Sequence, residues 1–218
     1  MIQSGKFDSS KMNIKKIASI ALQFTIKRLI EILGLIVLII GLLLFVALIS
    51  YSPEDPNFIF PENTEINNLL GFQGSYVSDL FFQSIGVISY LISLTLTFTG
   101  LNIFKSKDFF LIIENIFFAI LYSIFGSLLF SNFYKDAFTL YINGNGGFVG
   151  TYLNKNFLGN LISLNFDIAY YFLIIVTSGL FLISINFNPK KLWYFLKKIF
   201  SYFNKDDNKP YTDKSELI

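Results

Sequence analysis

Four stretches without a charged side chain limit what this chain can become. They are Ile32–Tyr51, Leu80–Phe104, Asn115–Tyr134 and Ile168–Phe187. Each holds about 20 residues or more, and at ~1.5 Å per helical residue that length crosses a hydrocarbon layer ~30 Å thick. One Asp, Lys or Arg at mid-bilayer costs roughly 2.5–3.5 kcal/mol, so four charge-free runs point to four membrane spans. The competing picture, buried helices of a water-soluble protein, leaves no polar helix faces to make a soluble surface. Composition agrees: 53% of residues are hydrophobic, 15% are charged, and the mean hydropathy is +0.57. Cys and His are both absent. Their absence excludes disulfides, thiol nucleophiles, Cys/His zinc sites and Ser–His or Cys–His dyads. No cofactor, metal or catalytic residue is expected.

Charge distribution sets the expected topology. Lys6, Lys11, Lys15, Lys16, Lys27 and Arg28 precede the first run, against Asp8 alone. The loop 52–79 carries Glu54, Asp55, Glu62, Glu65 and Asp79 and no basic residue. The short second loop holds Lys105 and Lys107 beside Asp108, and the third loop has only Lys135 and Lys155 as bases. Seven lysines follow the last run: 190, 191, 197, 198, 205, 209 and 214. Basic residues mark the cytoplasmic side, so both termini and the second loop are expected inside, with loops 52–79 and roughly 135–167 outside. The fold class read from this is all-α and polytopic: a basic tail over 1–28, a four-transmembrane domain over 29–188, and a basic amphipathic segment and tail over 189–218. The spans fall at about 29–51, 80–104, 111–134 and 168–187, with short interfacial helices in the external loops. A cleaved signal peptide fits the first run poorly. The run is too long for a signal core, begins about thirty residues in, and would place Pro53 after the cut.

Within the spans the patterns indicate packing rather than chemistry. Ala119, Ser123, Ser127 and Ser131 recur every four residues, as do Ser89, Ser93 and Thr97. Gly34 and Gly41 lie seven apart, and Gly86 and Gly100 flank the second hydroxyl row. Such spacing puts small residues on one face, where helices approach closely. A hydroxyl-lined solute path is the functional alternative. It lacks the ionisable group inside the membrane that transport normally needs, since Glu31, Glu114 and Asp167 sit at span edges. The stretch Ile17–Ile26 is read as either a membrane-surface helix or an extension of the first span. The segment KKLWYFLKKIFSYF after Pro189 reads as an interfacial helix with Trp193 and Tyr194 at headgroup level, and residues from Asn204 onward as a polar linker or tail.

The external loops hold the more specific patterns. Pro53, Pro56 and Pro61 impose extended and turn geometry as the chain leaves the first span. Gly71 and Gly74 suggest a tight turn before a short amphipathic helix. Asn143-Gly-Asn-Gly-Gly-Phe-Val-Gly150 is a glycine-rich turn, followed by Thr151–Leu164, which is apolar enough to lie on the membrane or dip into it. It is not a dinucleotide loop, because Val149 stands where G-x-G-x-x-G needs its third glycine.

These residues resemble a family. The order SYSPEDPNF over 50–58, then Asn68-x-x-Gly71-x-x-Gly74-Ser-Tyr-Val-Ser-Asp79-Leu-Phe-Phe-x-x-x-Gly86, then Gly146-Gly147-x-x-Gly150 and Leu158-Gly159, is similar to the N-terminal four-span domain of the FtsK/SpoIIIE DNA translocases. Ser75 and Ser78 stand where that family commonly has Ala. The resemblance runs from about Leu29 to Phe187. It implies a non-enzymatic membrane anchor and scaffold at the division septum of the bacterial inner membrane, in contact with other division proteins. It implies DNA as a partner only through a motor domain. No Walker pattern G-x-x-x-x-G-K-[ST] occurs in these 218 residues. The residues singled out for partner contact or loop structure are Asp55, Pro56, Asn68, Gly71, Gly74, Asp79, Gly146, Gly147 and Gly150. The alternative reading is a small four-helix transporter or channel.

Overall fold

The computed structural model describes residues 7–56, 65–135 and 143–190, together with 193 and 197. Its elements are α1 (Phe7–Ile49), α2 (Gly71–Ile85), a 3-10 turn (Gly86–Ile88), α3 (Ser89–Ser106), α4 (Phe110–Phe133), α5 (Gly147–Leu153), a π turn (Asn154–Leu158), α6 (Gly159–Leu164) and α7 (Phe166–Ser184). Among the described residues no strand occurs, and four helical segments are long and apolar enough to cross a membrane.

The first span runs further than its charge-free core. Helix α1 has 43 residues, about 65 Å at the helical rise, so the basic N-terminal tail from Phe7 onward continues the same helix. Of the two readings of Ile17–Ile26, the structure shows the extension. Arg28 and Glu31 pair one turn apart, and Lys107 reaches the other Glu31 oxygen at 2.7 Å. The first span is thereby pinned to the short α3–α4 loop. That loop is tight: Lys107 sits in the left-handed region (φ 60°), and the Asp108 carboxylate accepts the N–H of Phe110 at 3.0 Å.

The second span differs from a plain helix over 80–104. Helix α2 starts at Gly71, and the chain breaks at Gly86, where φ is +70° and a 3-10 turn re-aims it into α3. Gly74 falls inside α2 rather than in a turn ahead of it. Span three runs from 110 to 133 and span four from 166 to 184, the latter opened by Asn165, whose side chain accepts the N–H of Ile168.

Glycines decide the closest helix pair. A Cβ on Gly34 would lie 2.7 Å from the backbone N of Phe104, one on Gly41 2.5 Å from that of Thr97, and one on Gly100 2.3 Å from that of Leu38. Backbone thus meets backbone along α1 and α3, as small-residue seams in membranes allow. Helices α4 and α7 pack instead through side chains: Leu128, Leu129 and Leu173 are buried with Ile162 of α6, flanked by Phe125, Phe133 and Tyr170. Polar groups tie the third and fourth spans to the second. The Thr95 hydroxyl lies 2.9 Å from that of Tyr122 and 3.0 Å from that of Ser184. The Asn115 amide donates to Thr99 (2.8 Å) and to the Asn186 side chain (3.1 Å).

Residues 187–218 form a separate unit. Within it, the Asn188 side chain accepts the N–H of Lys190 at 3.1 Å. The expected interfacial helix and polar tail lie outside the described residues, apart from Lys190, Trp193 and Lys197.

Candidate functional site: the joined loops at one end of the bundle

The acidic first loop is closed by its own aspartate. Both oxygens of Asp55 accept backbone N–H groups, from Asn67 at 2.8 Å and Asn68 at 2.9 Å. The side chain is 0% exposed, so this carboxylate staples the two ends of the loop and presents no charge to solvent. Asn68 carries the staple to α1. Its amide donates to the carbonyls of Ala47 (2.9 Å) and Ser50 (3.3 Å), which the end of the helix leaves without intrahelical partners. Its side-chain oxygen accepts the N–H of Leu70 at 3.1 Å. Ser50 adds a bond from the N–H of Leu69, and Ser75 donates to the carbonyl of Pro56 at 2.9 Å. Gly74 leaves room for this arrangement, because a Cβ there would lie 2.1 Å from the Asn68 side-chain oxygen. Gly71 answers a different need: its φ is +65°, with open space around it.

A second chain of bonds leads from the first loop to the third. The Tyr51 hydroxyl donates to Asp79 at 3.1 Å, and the Gln83 amide reaches the same oxygen at 3.4 Å. Gln83 in turn accepts the N–H of Asn143 at 3.2 Å, while the Asn143 side chain donates to the Gln83 carbonyl at 3.1 Å. Asp79 is 3% exposed. The glycine-rich turn then wedges against the break in the second span. The N–H of Val87 donates to the carbonyl of Asn145 at 3.0 Å. A Cβ on Gly86 would lie 2.0 Å from that carbonyl oxygen, and one on Gly147 would lie 2.5 Å from the Gly86 nitrogen. Gly146 and Gly150 both face the carbonyl of Ser127 on α4, at 2.3 and 2.2 Å from an added Cβ. Ser127 donates to the carbonyl of Ile85, and Ser131 to that of Gly150.

All nine residues singled out from sequence therefore fall in one cluster. Asp55, Asn68 and Asp79 act inside it, as acceptors and donors for backbone and side-chain groups. Pro56 supplies a buried carbonyl, and the glycines supply room or backbone angle. Sequence reasoning missed Tyr51, Gln83, Asn143 and Asn145, which join the loops across long stretches of chain with no recognisable spacing. What the cluster exposes is different in kind. Leu69 is 73% exposed, and Phe72, Val77 and Leu80 of α2 are also exposed beside it.

A family model for the 4TM region of DNA translocase FtsK/SpoIIIE matches residues 26–192, which include all four spans and both joined loops. DNA translocase FtsK of Rickettsia bellii (strain RML369-C) is 41% identical over 69 residues, 32% of this chain and 9% of that protein. The corresponding protein of Azospirillum brasilense is 37% identical over 73 residues, 33% of this chain and 12% of the relative. That of Rickettsia typhi (strain ATCC VR-144 / Wilmington) is 35% identical over 69 residues, again 32% and 9%. The matched stretches thus span about a tenth of the relatives' length. No solved structure matches the chain. With four helical crossings, a glycine-fitted pair of loops at one end and a family model covering most of its length, this multi-pass membrane protein belongs to the family of the 4TM region of DNA translocase FtsK/SpoIIIE.

Proposed function

We infer that this chain is the membrane anchor and scaffold of a cell-division DNA translocase. It sits at the septum in the bacterial inner membrane, with both termini in the cytoplasm and the joined loops outside. The family match over all four spans is the observation that carries this reading. Two structural features support it. The loop cluster is built around buried acids and leaves Leu69, Phe72 and Val77 exposed, an apolar edge that we take as the surface for other division proteins. The hydroxyls that could have lined a solute path are spent on backbone carbonyls: Ser93 donates to that of Tyr90, Thr97 to that of Ser93 and Ser123 to that of Ala119 within their own helices, and Ser127 and Ser131 to those of Ile85 and Gly150 on neighbouring segments. DNA is reached only through a motor outside these 218 residues.

The test is septal recruitment of the full chain fused to a fluorescent protein. Because Asp55 and Asp79 are buried, replacing them by Ala reports on loop folding. Contact is read instead by Leu69→Ser with Phe72→Ser. Recruitment should fall while membrane insertion persists. Unchanged recruitment removes this edge from the contact, and solute flux in proteoliposomes of the purified chain would replace the scaffold reading by a transporter.

A further inference from the structure

The joined loops enclose a second feature that the anchor reading does not use. The first loop has no Lys or Arg, and the third has just two, twenty positions apart. Both Lys135 and Lys155 line one cavity of about 250 Å³, between the end of α4 and the α5–π-turn segment. Both lysines are exposed, and among the described residues no carboxylate lines this cavity. Ser131 and Thr151, also in the wall, donate their hydroxyl hydrogens to the carbonyls of Gly150 and Asn143. Their oxygens are left as acceptors. Asn145, in the same wall, is 2% exposed. It donates its amide hydrogens to the carbonyls of Tyr134 and Lys135, and its side-chain oxygen has no partner among the described residues. A buried acceptor left unpaired is costly, so this oxygen favours a ligand that brings a donor.

The cavity therefore matches a ligand with two parts: an anion for the two ammonium groups, and a hydroxyl or amine for Asn145. A phosphate ester with a hydroxyl-bearing substituent has both. Its position selects the source. The helices beside the cavity carry exposed Phe148 and Tyr152 on α5 and Leu161 and Leu164 on α6, the last 80% exposed. Aromatic and aliphatic side chains of this kind lie at the headgroup level of a bilayer. The volume is below the ~300–1,000 Å³ of pockets that hold whole drug-sized molecules, and suits a headgroup whose acyl chains stay in the membrane.

We propose that Lys135, Lys155 and Asn145 form a binding site for the phosphoglycerol headgroup of an anionic phospholipid in the leaflet at this end of the bundle. This site does not depend on septal placement. The experiment is native mass spectrometry of the purified full chain in detergent, titrated with dioleoyl-phosphatidylglycerol, dioleoyl-phosphatidylmethanol and dioleoyl-phosphatidylcholine. Phosphatidylglycerol should bind most tightly. Lys135→Gln with Lys155→Gln should weaken it about tenfold or more, while Lys105→Gln at the other end leaves it unchanged. Phosphatidylmethanol, which has the same charge and no donor, should bind more weakly than phosphatidylglycerol. An unchanged melting temperature of the double variant would show that the loss is at the site. Equal binding of phosphatidylcholine, or full affinity in the double variant, would overturn the site. Equal binding of phosphatidylmethanol would overturn the part given to Asn145. Full competition by glycerol 1-phosphate at equal concentration would overturn the lipid source in favour of a free phosphate ester.

Discussion

Glycine 74 is required by contact and glycine 71 by backbone angle, and the two make different predictions. In Gly74→Ala the new methyl meets the Asn68 oxygen and the Leu70 Cβ, at 2.1 and 2.6 Å, so the staple must shift. Overpacking of this kind costs about 1–3 kcal/mol, readable as a lowered melting temperature in detergent. Gly71→Ala meets nothing, yet holds φ at +65°, and is expected to cost about 1–2 kcal/mol, with Gly71→Asn milder. Asp55→Ala leaves the N–H groups of Asn67 and Asn68 without acceptors, at about 1–3 kcal/mol for each N–H left unpaired. Protease nicking of loop one should rise with it. Asp55, Asn68 and the glycines could be singled out by residue type, since Asp, Asn and Gly in a loop commonly bond backbone, turn the chain or admit a close approach, although the partners they meet, such as Ala47 for Asn68 and Gly86 for Gly147, lie far along the chain. Gln83 and Asn143 were not, because a bond across 60 positions leaves no spacing to read.

The seam between α1 and α3 was legible at the scale of the element. Gly34 and Gly41 are seven apart, so they fall on one helix face, and the structure sets that face against Gly100 and Thr97. Because Thr97 backbone lies 2.5 Å from a Cβ on Gly41, Gly41→Leu should force the two helices apart. Glu31→Cys with Lys107→Cys, in a chain that has no cysteine of its own, gives the readout. Cross-linking by a short bis-thiol reagent should be efficient in the parent and fall several-fold once Gly41→Leu is added. The bonds between spans are worth less. Tyr122→Phe removes the link to Thr95 and should lower stability by about 0.6–1.7 kcal/mol in a thermal melt. The break in the second span was not legible in the hydropathy, since a 3-10 turn built of Gly, Val and Ile is as apolar as the helix around it. The start of α1 was blurred for a related reason. Lysines at 15, 16 and 27 mark where the charge lies, and helical backbone continues past them.

At the scale of the whole four-span unit, which closes at Asn186, there are two ends of opposite character. One carries Arg28, Glu31 and Lys107, and the other carries the joined loops. The proposed topology puts the first end in the cytoplasm, and cysteine labelling tests it. In intact cells, Glu54→Cys and Lys155→Cys should react with a membrane-impermeant maleimide, and Lys105→Cys should react only after lysis. The reverse pattern would invert the topology. These three side chains are exposed, so a negative result would not come from burial.

The number of crossings and the family were settled by the sequence alone. Charge-free length is a local property, and the cost of burying a charge in hydrocarbon makes it decisive. The order of Pro, Asn, Gly and Asp in the loops was equally local. Only the tertiary structure decided what those loop residues do. Asp55 and Asp79 sit in a loop that sequence reads as acidic and outward, yet both carboxylates are buried. The physical reason is that a chain leaving the bilayer ends a helix with open carbonyls and starts a loop with open N–H groups. Which side chains satisfy them depends on what the fold brings within 3 Å, and no spacing along the chain records that.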